Sequence, residues 1–227
     1  MTTPKAKFAG LVLIAALCAG FTLGLTAPGW AGISEGLLAY KRGDYATALR
    51  ELRPLAKQGS PRAQLFLGHM YRYGLGVPHD DAEAVKWYSK GAERENAKAQ
   101  YNLGLMYDKG LGVPQDYAKA LFWYRMADAQ GHGGAQYNLG LLHEKSRGVP
   151  QDYLRAYAWY DLAASSFPPG KDRDKAVEHH DIVAATMTPA QISEAQKLAR
   201  EWRPEETKTW RWRRNRERWP FWMTGPL

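Results

Sequence analysis

Apolar residues in the middle of the chain recur at helical spacing. Ala63, Leu67, Met70 and Tyr71 fall at i, i+4, i+7 and i+8, which puts them on one stripe of an α-helix. Ala84, Trp87 and Tyr88 make a second stripe further on. Between the stripes, Gly74 supplies the left-handed residue that ends a helix. Leu75-Gly-Val-Pro78 follows as extended chain, because Pro cannot continue a helix and restricts the residue before it. Asp80 then stands as an N-cap, able to accept from free backbone N–H groups at the positive end of the next helix. Glu83, three residues on, predicts a capping box. The unit reads helix, turn, helix.

The same unit returns twice with a period of 36 residues, over 63–98, 99–134 and 135–170. The first two copies agree at 16 of 36 positions, too many for chance resemblance between two amphipathic stretches. The positions shared by all three include Leu67/Leu103/Leu139, Gly68/Gly104/Gly140, Asp80/Asp116/Asp152, Trp87/Trp123/Trp159 and Tyr88/Tyr124/Tyr160. A fixed period of this size means a solenoid. A mid-helix glycine costs about 1 kcal/mol against alanine, so its recurrence beside the apolar stripe predicts a close approach by the paired helix. The third copy departs from the pattern, with His143 in place of Tyr71/Tyr107, Ser146 in place of Gly74/Gly110 and Arg147 in place of Leu75/Leu111. Residues 33–62 read as a shortened first unit, in which Gly43 ends one helix and Asp44 opens the next.

The run Ala…Leu-Gly-x-x-Tyr-x-x-Gly-x-Gly-Val…Asp…Ala-x-x-Trp-Tyr resembles the Sel-one-like repeat, a relative of the tetratricopeptide repeat. The likeness is closest over 63–134 and extends to about Pro169. It implies an all-α, right-handed superhelical solenoid of antiparallel helix pairs, used as a scaffold for protein partners. One branch of that family is associated with β-lactam chemistry, but it is cysteine-rich. The single cysteine of this chain, Cys18, lies in the apolar N-terminal run, so that activity is not expected here.

Composition alters the picture mainly at the two ends. Lys5 and Lys7 precede Phe8–Leu25, a stretch without charge, and Gly29 and Ala31 stand as small residues for signal peptidase. This order is that of a secretory signal, so residues 1–31 are expected to direct export with cleavage near Ala31. The alternative is retention as an inner-membrane anchor, since the run reaches the length of a span. Export predicts a periplasmic or secreted protein. After the repeats, residues 171–204 are expected to form capping helices, one over Asp174–Met187 and one from Pro189 to about Trp202 opened by a Thr188/Gln191 capping box.

The formal charge is +8, and within the tail, 205–227, the stretch 208–219 holds six basic side chains against one acid. There Trp210, Arg211, Trp212, Arg213, Arg214, Arg216, Arg218, Trp219 and Trp222 alternate indoles with guanidinium groups. Such a segment suits an anionic membrane surface or a polyanionic glycan. The plainer alternatives are disorder or packing back on the solenoid. Nucleic acid, which an exported protein seldom meets, is not expected as a partner.

Candidate chemistry is sparse, and neither a catalytic residue nor a cofactor is expected. Glu178-His-His-Asp181 carries ligand-type side chains, but neighbours on a helix point about 100° apart and cannot close one metal site. His143-Glu144 lacks the second histidine of a metalloprotease helix. The candidate site is therefore the solenoid surface. Opposite the core stripe, copy one carries Phe66, His69 and Tyr73, copy two Asn102, Leu105 and Lys109, and copy three Asn138, Leu141 and Lys145. Positions that vary while the scaffold does not suit a groove that reads an extended peptide or a partner protein. Asparagine can hold a peptide backbone and lysine can meet a carboxylate. The chain thus reads as a non-catalytic, exported interaction scaffold. The rivals are a membrane-surface protein acting through the tail and an envelope hydrolase or its accessory.

Overall fold

The computed structural model describes residues 28–202, and all regular structure among them is α-helical. Eight helices pair along the chain as α1 (Pro28–Arg42) with α2 (Tyr45–Lys57), α3 (Pro61–Tyr73) with α4 (Asp81–Glu93), α5 (Ala97–Lys109) with α6 (Tyr117–Asp128), and α7 (Gly133–Glu144) with α8 (Tyr153–Ser166). Each pair also packs on the next through its second helix. Two further helices, α9 (Lys171–Ala184) and α10 (Pro189–Glu201), close the array. The chain is an α-solenoid. Ala31 lies in the first turn of α1, and residues 1–27 fall outside the described part.

The repeat signature converts into geometry three times over. Asp80, Asp116 and Asp152 each hold extended backbone and accept from the N–H three residues on, at 2.9 Å in every copy. Replacing such a cap removes about 1 kcal/mol of helix stability. The capping box expected of Glu83 does not form. Its carboxylate instead meets Lys86 Nζ at 2.8 Å, one turn along, and only its backbone N–H serves the cap. Gly74 and Gly110 end their helices at φ 65° and 66°. In copy three Ser146 takes that left-handed place at φ 53°, with its hydroxyl donating to the Val149 carbonyl. The turn survives without glycine at a strain on the order of 1–2 kcal/mol.

Packing explains the remaining shared positions. Tyr88, Tyr124 and Tyr160 are buried with their rings against Gly68, Gly104 and Gly140. Full burial of a large side chain stabilises by about 1.5–3 kcal/mol, and only a glycine lets these rings reach the paired helix. Trp87, Trp123 and Trp159 join successive clusters of the core. Gln64 and Gln100, also buried, donate to the carbonyls of Ala56 and Ala92 at 3.0 and 3.2 Å and so tie each pair to the one before it.

The closing helices depart from the repeat. Instead of forming a hairpin with each other, α9 and α10 both lie against α8. The expected helix over Asp174–Met187 begins and ends three residues earlier, because Gly170 at φ 142° lets the chain re-enter a helix at once. The Thr188/Gln191 capping box forms as the sequence indicates. Ala195 and Ala199 bury the inner side of α10, and Trp202 meets Trp159 edge to face at 4.7 Å.

Candidate functional site

First helices approach one another directly at two places, α3 with α5 and α7 with α9, whereas the second helices α2, α4, α6 and α8 come less close to one another. The array therefore curves with its first helices inward. All nine groove candidates lie on those helices or at their C-caps. Their exposure divides them. Tyr73 is 64% exposed, and Lys109 and Lys145 are exposed at the ends of α5 and α7. Phe66, Leu105 and Leu141 are half-buried and pack on the core clusters, closing gaps between pairs. Asn138 is buried, so it cannot hold a peptide backbone. The reason is curvature: a first helix on the inner side touches its predecessor and its successor as well as its own partner, which narrows the free face.

One pair of candidates is brought together across copies. Asn102 Nδ2 lies 3.1 Å from His69 Nε2. An amide N–H donates there, so Nε2 is the acceptor and the ring proton sits on Nδ1. Burial, with the Lys98 ammonium nearby, holds His69 below the usual histidine range and keeps it neutral. The ring also lies among Phe66, Tyr73 and Tyr88, with centroids about 6 Å away. The N-terminal half of the inner face is thus aromatic. Beyond it come Lys98, Lys109 and Lys145, which make no ion pair with any described residue.

Sequence reasoning missed a polar relay in the same wall. Tyr124 donates to Asp108 Oδ2 at 3.1 Å. Tyr160 donates to Glu144 Oε2, and His179 Nδ1 lies 3.0 Å from that same oxygen, linking α7, α8 and α9. The signal was present: acids stand at 108 and 144 where copy one has Arg72, sixteen residues before each tyrosine. His132 was missed as well. Its Nδ1 caps α7 by accepting from Ala135 N–H at 3.3 Å, and its ring stacks on Tyr101 at 4.5 Å. The histidines at 179 and 180 diverge, His179 toward Glu144 and His180 toward Tyr157 and Asp181. Among the described residues no three His, Cys, Asp or Glu side chains are grouped to hold a metal ion, and no helix is long and apolar enough to cross a membrane.

Two titratable groups, His143 and Asp128, are buried. His143 occupies the place where Tyr71 accepts from Arg53 at 3.2 Å, yet neither ring nitrogen finds a partner among the described residues. Burial, reinforced by Arg155, pushes it down to about 4. Asp128 is fully buried with Gln136 Nε2 at 2.8 Å from Oδ1 and the Trp202 indole beside it. Burial pushes its carboxyl up to about 6. The tail candidates Trp210, Arg211, Trp212, Arg213, Arg214, Arg216, Arg218, Trp219 and Trp222 lie outside the described residues.

Comparison with known proteins agrees with this architecture. The Sel1 repeat model matches residues 61–96, 97–132 and 134–166, so its units begin one or two residues before the 36-residue frame set by Ala63. A Sel1 repeat protein from Oxalobacter formigenes is 33% identical, with 68% of each chain covered and a TM-score of 0.58. A protective antigen of uropathogenic Escherichia coli with an SLR fold is 27% identical over 74% of this chain and 44% of its own, TM-score 0.45. MamA protein is 20% identical over 81% and 95%, TM-score 0.45. No curated protein matches the chain. Sel1 repeat proteins generally mediate protein–protein interactions and are typically non-catalytic. With three matched repeats, a relative one-third identical over two thirds of both chains, and stacked helix pairs whose glycines admit the tyrosine rings, the chain belongs to the Sel1 repeat family.

Proposed function

We propose that the protein is an exported scaffold that holds an extended, acidic segment of a partner protein along the inner face of its first helices. The observation that carries this reading is the set Lys98 and Lys109, at the two ends of α5, and Lys145, the C-cap of α7, three exposed ammonium groups with no ion-pair partner among the described residues. A surface that leaves three lysines unpaired beside exposed Tyr73 offers charge for carboxylates and a flat ring for an apolar anchor. His69 and Asn102 are already bonded to each other, so the pair orients the wall and leaves the Asn102 carbonyl oxygen free to accept.

Export rests on the N-terminal run of the sequence, with Lys5 and Lys7 ahead of uncharged Phe8–Leu25. The proposal requires a partner in the periplasm or outside the cell. Pull-down from the envelope fraction, with mass spectrometry, tests it using the wild-type chain beside Lys98→Glu/Lys109→Glu/Lys145→Glu. A partner retained by the first and lost by the second, at equal helicity and melting temperature, is the expected result. Equal recovery by both chains overturns the inner-face reading, and a mature chain found only in the cytoplasm overturns export.

A further inference from the structure

We propose that the exposed face of α9 is the docking surface for the chain's own Arg- and Trp-rich segment, Trp210–Trp219. The starting observation is that α9 is a first helix without a second one. In α7 seven residues are buried, because α8 covers one side and the preceding pair another, whereas in α9 only Ala176 and Val183 are. The helix that should cover α9 is α10, and it lies on α8 instead.

The uncovered face has a defined chemistry. Asp174, Glu178 and Asp181 stand at i, i+4 and i+7, all exposed, on the side of the helix away from Ala176 and Val183. Val177 and Ile182 flank this ridge at 41% and 52% exposure. Asp174 and Glu178 form no ion pair with described residues, and Asp181 meets only its neighbour His180 at 2.9 Å. Favourable interaction with the helix dipole accounts for Asp174 in the first turn but not for Asp181 in the last, where an acid is disfavoured and no basic residue compensates.

The occupant is specified by charge and reach. Residues 208–219 hold six basic side chains and one acid, with Trp210, Trp212 and Trp219 among them. Guanidinium groups pair with carboxylates and indoles cover exposed aliphatic side chains, so this composition complements the ridge and both flanks. α10 leads away from the end of α9 for about 20 Å. The seven residue steps from 203 to 210 span at most about 25 Å, enough to return to it. In place of the missing second helix, α9 thus receives the tail.

Hydrogen exchange of the full chain tests the proposal at low ionic strength. Amides of 172–184 are expected to exchange several-fold faster in Asp174→Asn/Glu178→Gln/Asp181→Asn, and equally so in Trp210→Ser/Trp212→Ser/Trp219→Ser. The helices α3–α6 serve as the internal reference and are expected to be unchanged. Added salt should bring the wild type to the variants' rate, since the contact is largely ionic. Identical exchange of α9 in all three chains overturns the proposal. Protection that grows with protein concentration also overturns it, by assigning the face to a second copy. Tail binding to vesicles of anionic lipid with no change in α9 exchange does the same in favour of a membrane.

Discussion

The ring of Tyr124 lies 2.7 Å from the point where a Cβ on Gly104 would stand. Tyr160 and Gly140 repeat the relationship at 2.5 Å, and Tyr88 and Gly68 repeat it again. The contact is shorter than any two carbon atoms tolerate without movement, and the atoms in the way belong to a fully buried ring that cannot swing aside. Each helix pair is therefore locked by one absent side chain. Gly104→Ala is expected to lower stability by about 1–2 kcal/mol, the overpacking loss less the gain in helix propensity. Urea denaturation reads it directly, and an unchanged or raised midpoint would show the ring to be free to shift.

The aspartate caps give a second, independent measure of the repeat. Asp116 accepts from the Lys119 N–H at 2.9 Å and pairs with its side chain at 3.0 Å. Asp116→Ala is expected to remove about 1 kcal/mol, and Asp116→Asn most of that less, because the amide oxygen still accepts. Equal losses for the two would locate the stabilisation in charge instead of the cap.

His143 makes stability depend on acid. Burial first, then Arg155, holds its folded value at about 4, against about 6.5 in the unfolded chain. Between those limits the unfolded chain binds a proton that the folded chain refuses. The stabilisation is intact above pH about 6.5 and falls as pH drops toward 4, by about 3 kcal/mol in all. His69 and His132, also held low by burial, act in the same direction. His143→Tyr restores the side chain of copies one and two. It should raise stability at neutral pH and flatten the acid limb of a pH–denaturation profile.

Asp128 acts in the opposite sense. Its folded carboxyl is pushed up to about 6, against about 3.9 unfolded, so between those values the folded chain binds the extra proton. Stability then rises as pH falls through that window, and at neutral pH the buried charge destabilises by up to about 3 kcal/mol. Asp128→Asn keeps an oxygen for Gln136 and removes the charge. The variant should be more stable than wild type at pH 7, with the difference vanishing near pH 4. A variant less stable at pH 7 would mean that the carboxylate is bonded well enough to remain charged. Because Asp128 and His143 drift in opposite directions between pH 4 and 6, Asp128→Asn should also show the steeper acid loss.

Trp202 joins the C-terminal end of α10 to the core. It covers Trp159 and stands beside Asp128. Trp202→Ala is expected to cost about 1–3 kcal/mol from lost aromatic contact and burial, and to raise hydrogen exchange in α10 before any other helix. Unaltered exchange in α10 would show that its docking relies on Ala195 and Ala199 alone.

Periodicity alone was enough for the helix pairs, the Asp caps, the left-handed Gly74 and Gly110, and the close approach at Gly68, Gly104 and Gly140. These are local or nearest-neighbour matters: a cap needs three residues, and a ring meets a glycine in its own hairpin. Glu83 shows the limit of even local reading, since a salt bridge with Lys86 one turn along outcompeted the backbone N–H. The inner face was legible only in part, with Tyr73, Lys109 and Lys145 exposed but Asn138 enclosed.

Register within one repeat is written in its own residues, because side-chain direction follows from position on a helix. How neighbouring repeats divide the space between them is not. Whether Asn138 meets solvent or core depends on the curvature summed over several pairs, and whether α10 folds onto α9 or crosses to α8 depends on which apolar surface is left uncovered when the array stops. The placing of Asp128 and Glu144 beside partners from other helices, and the burial of His143 without one, follow from those same non-local choices, and there the tertiary structure alone decided.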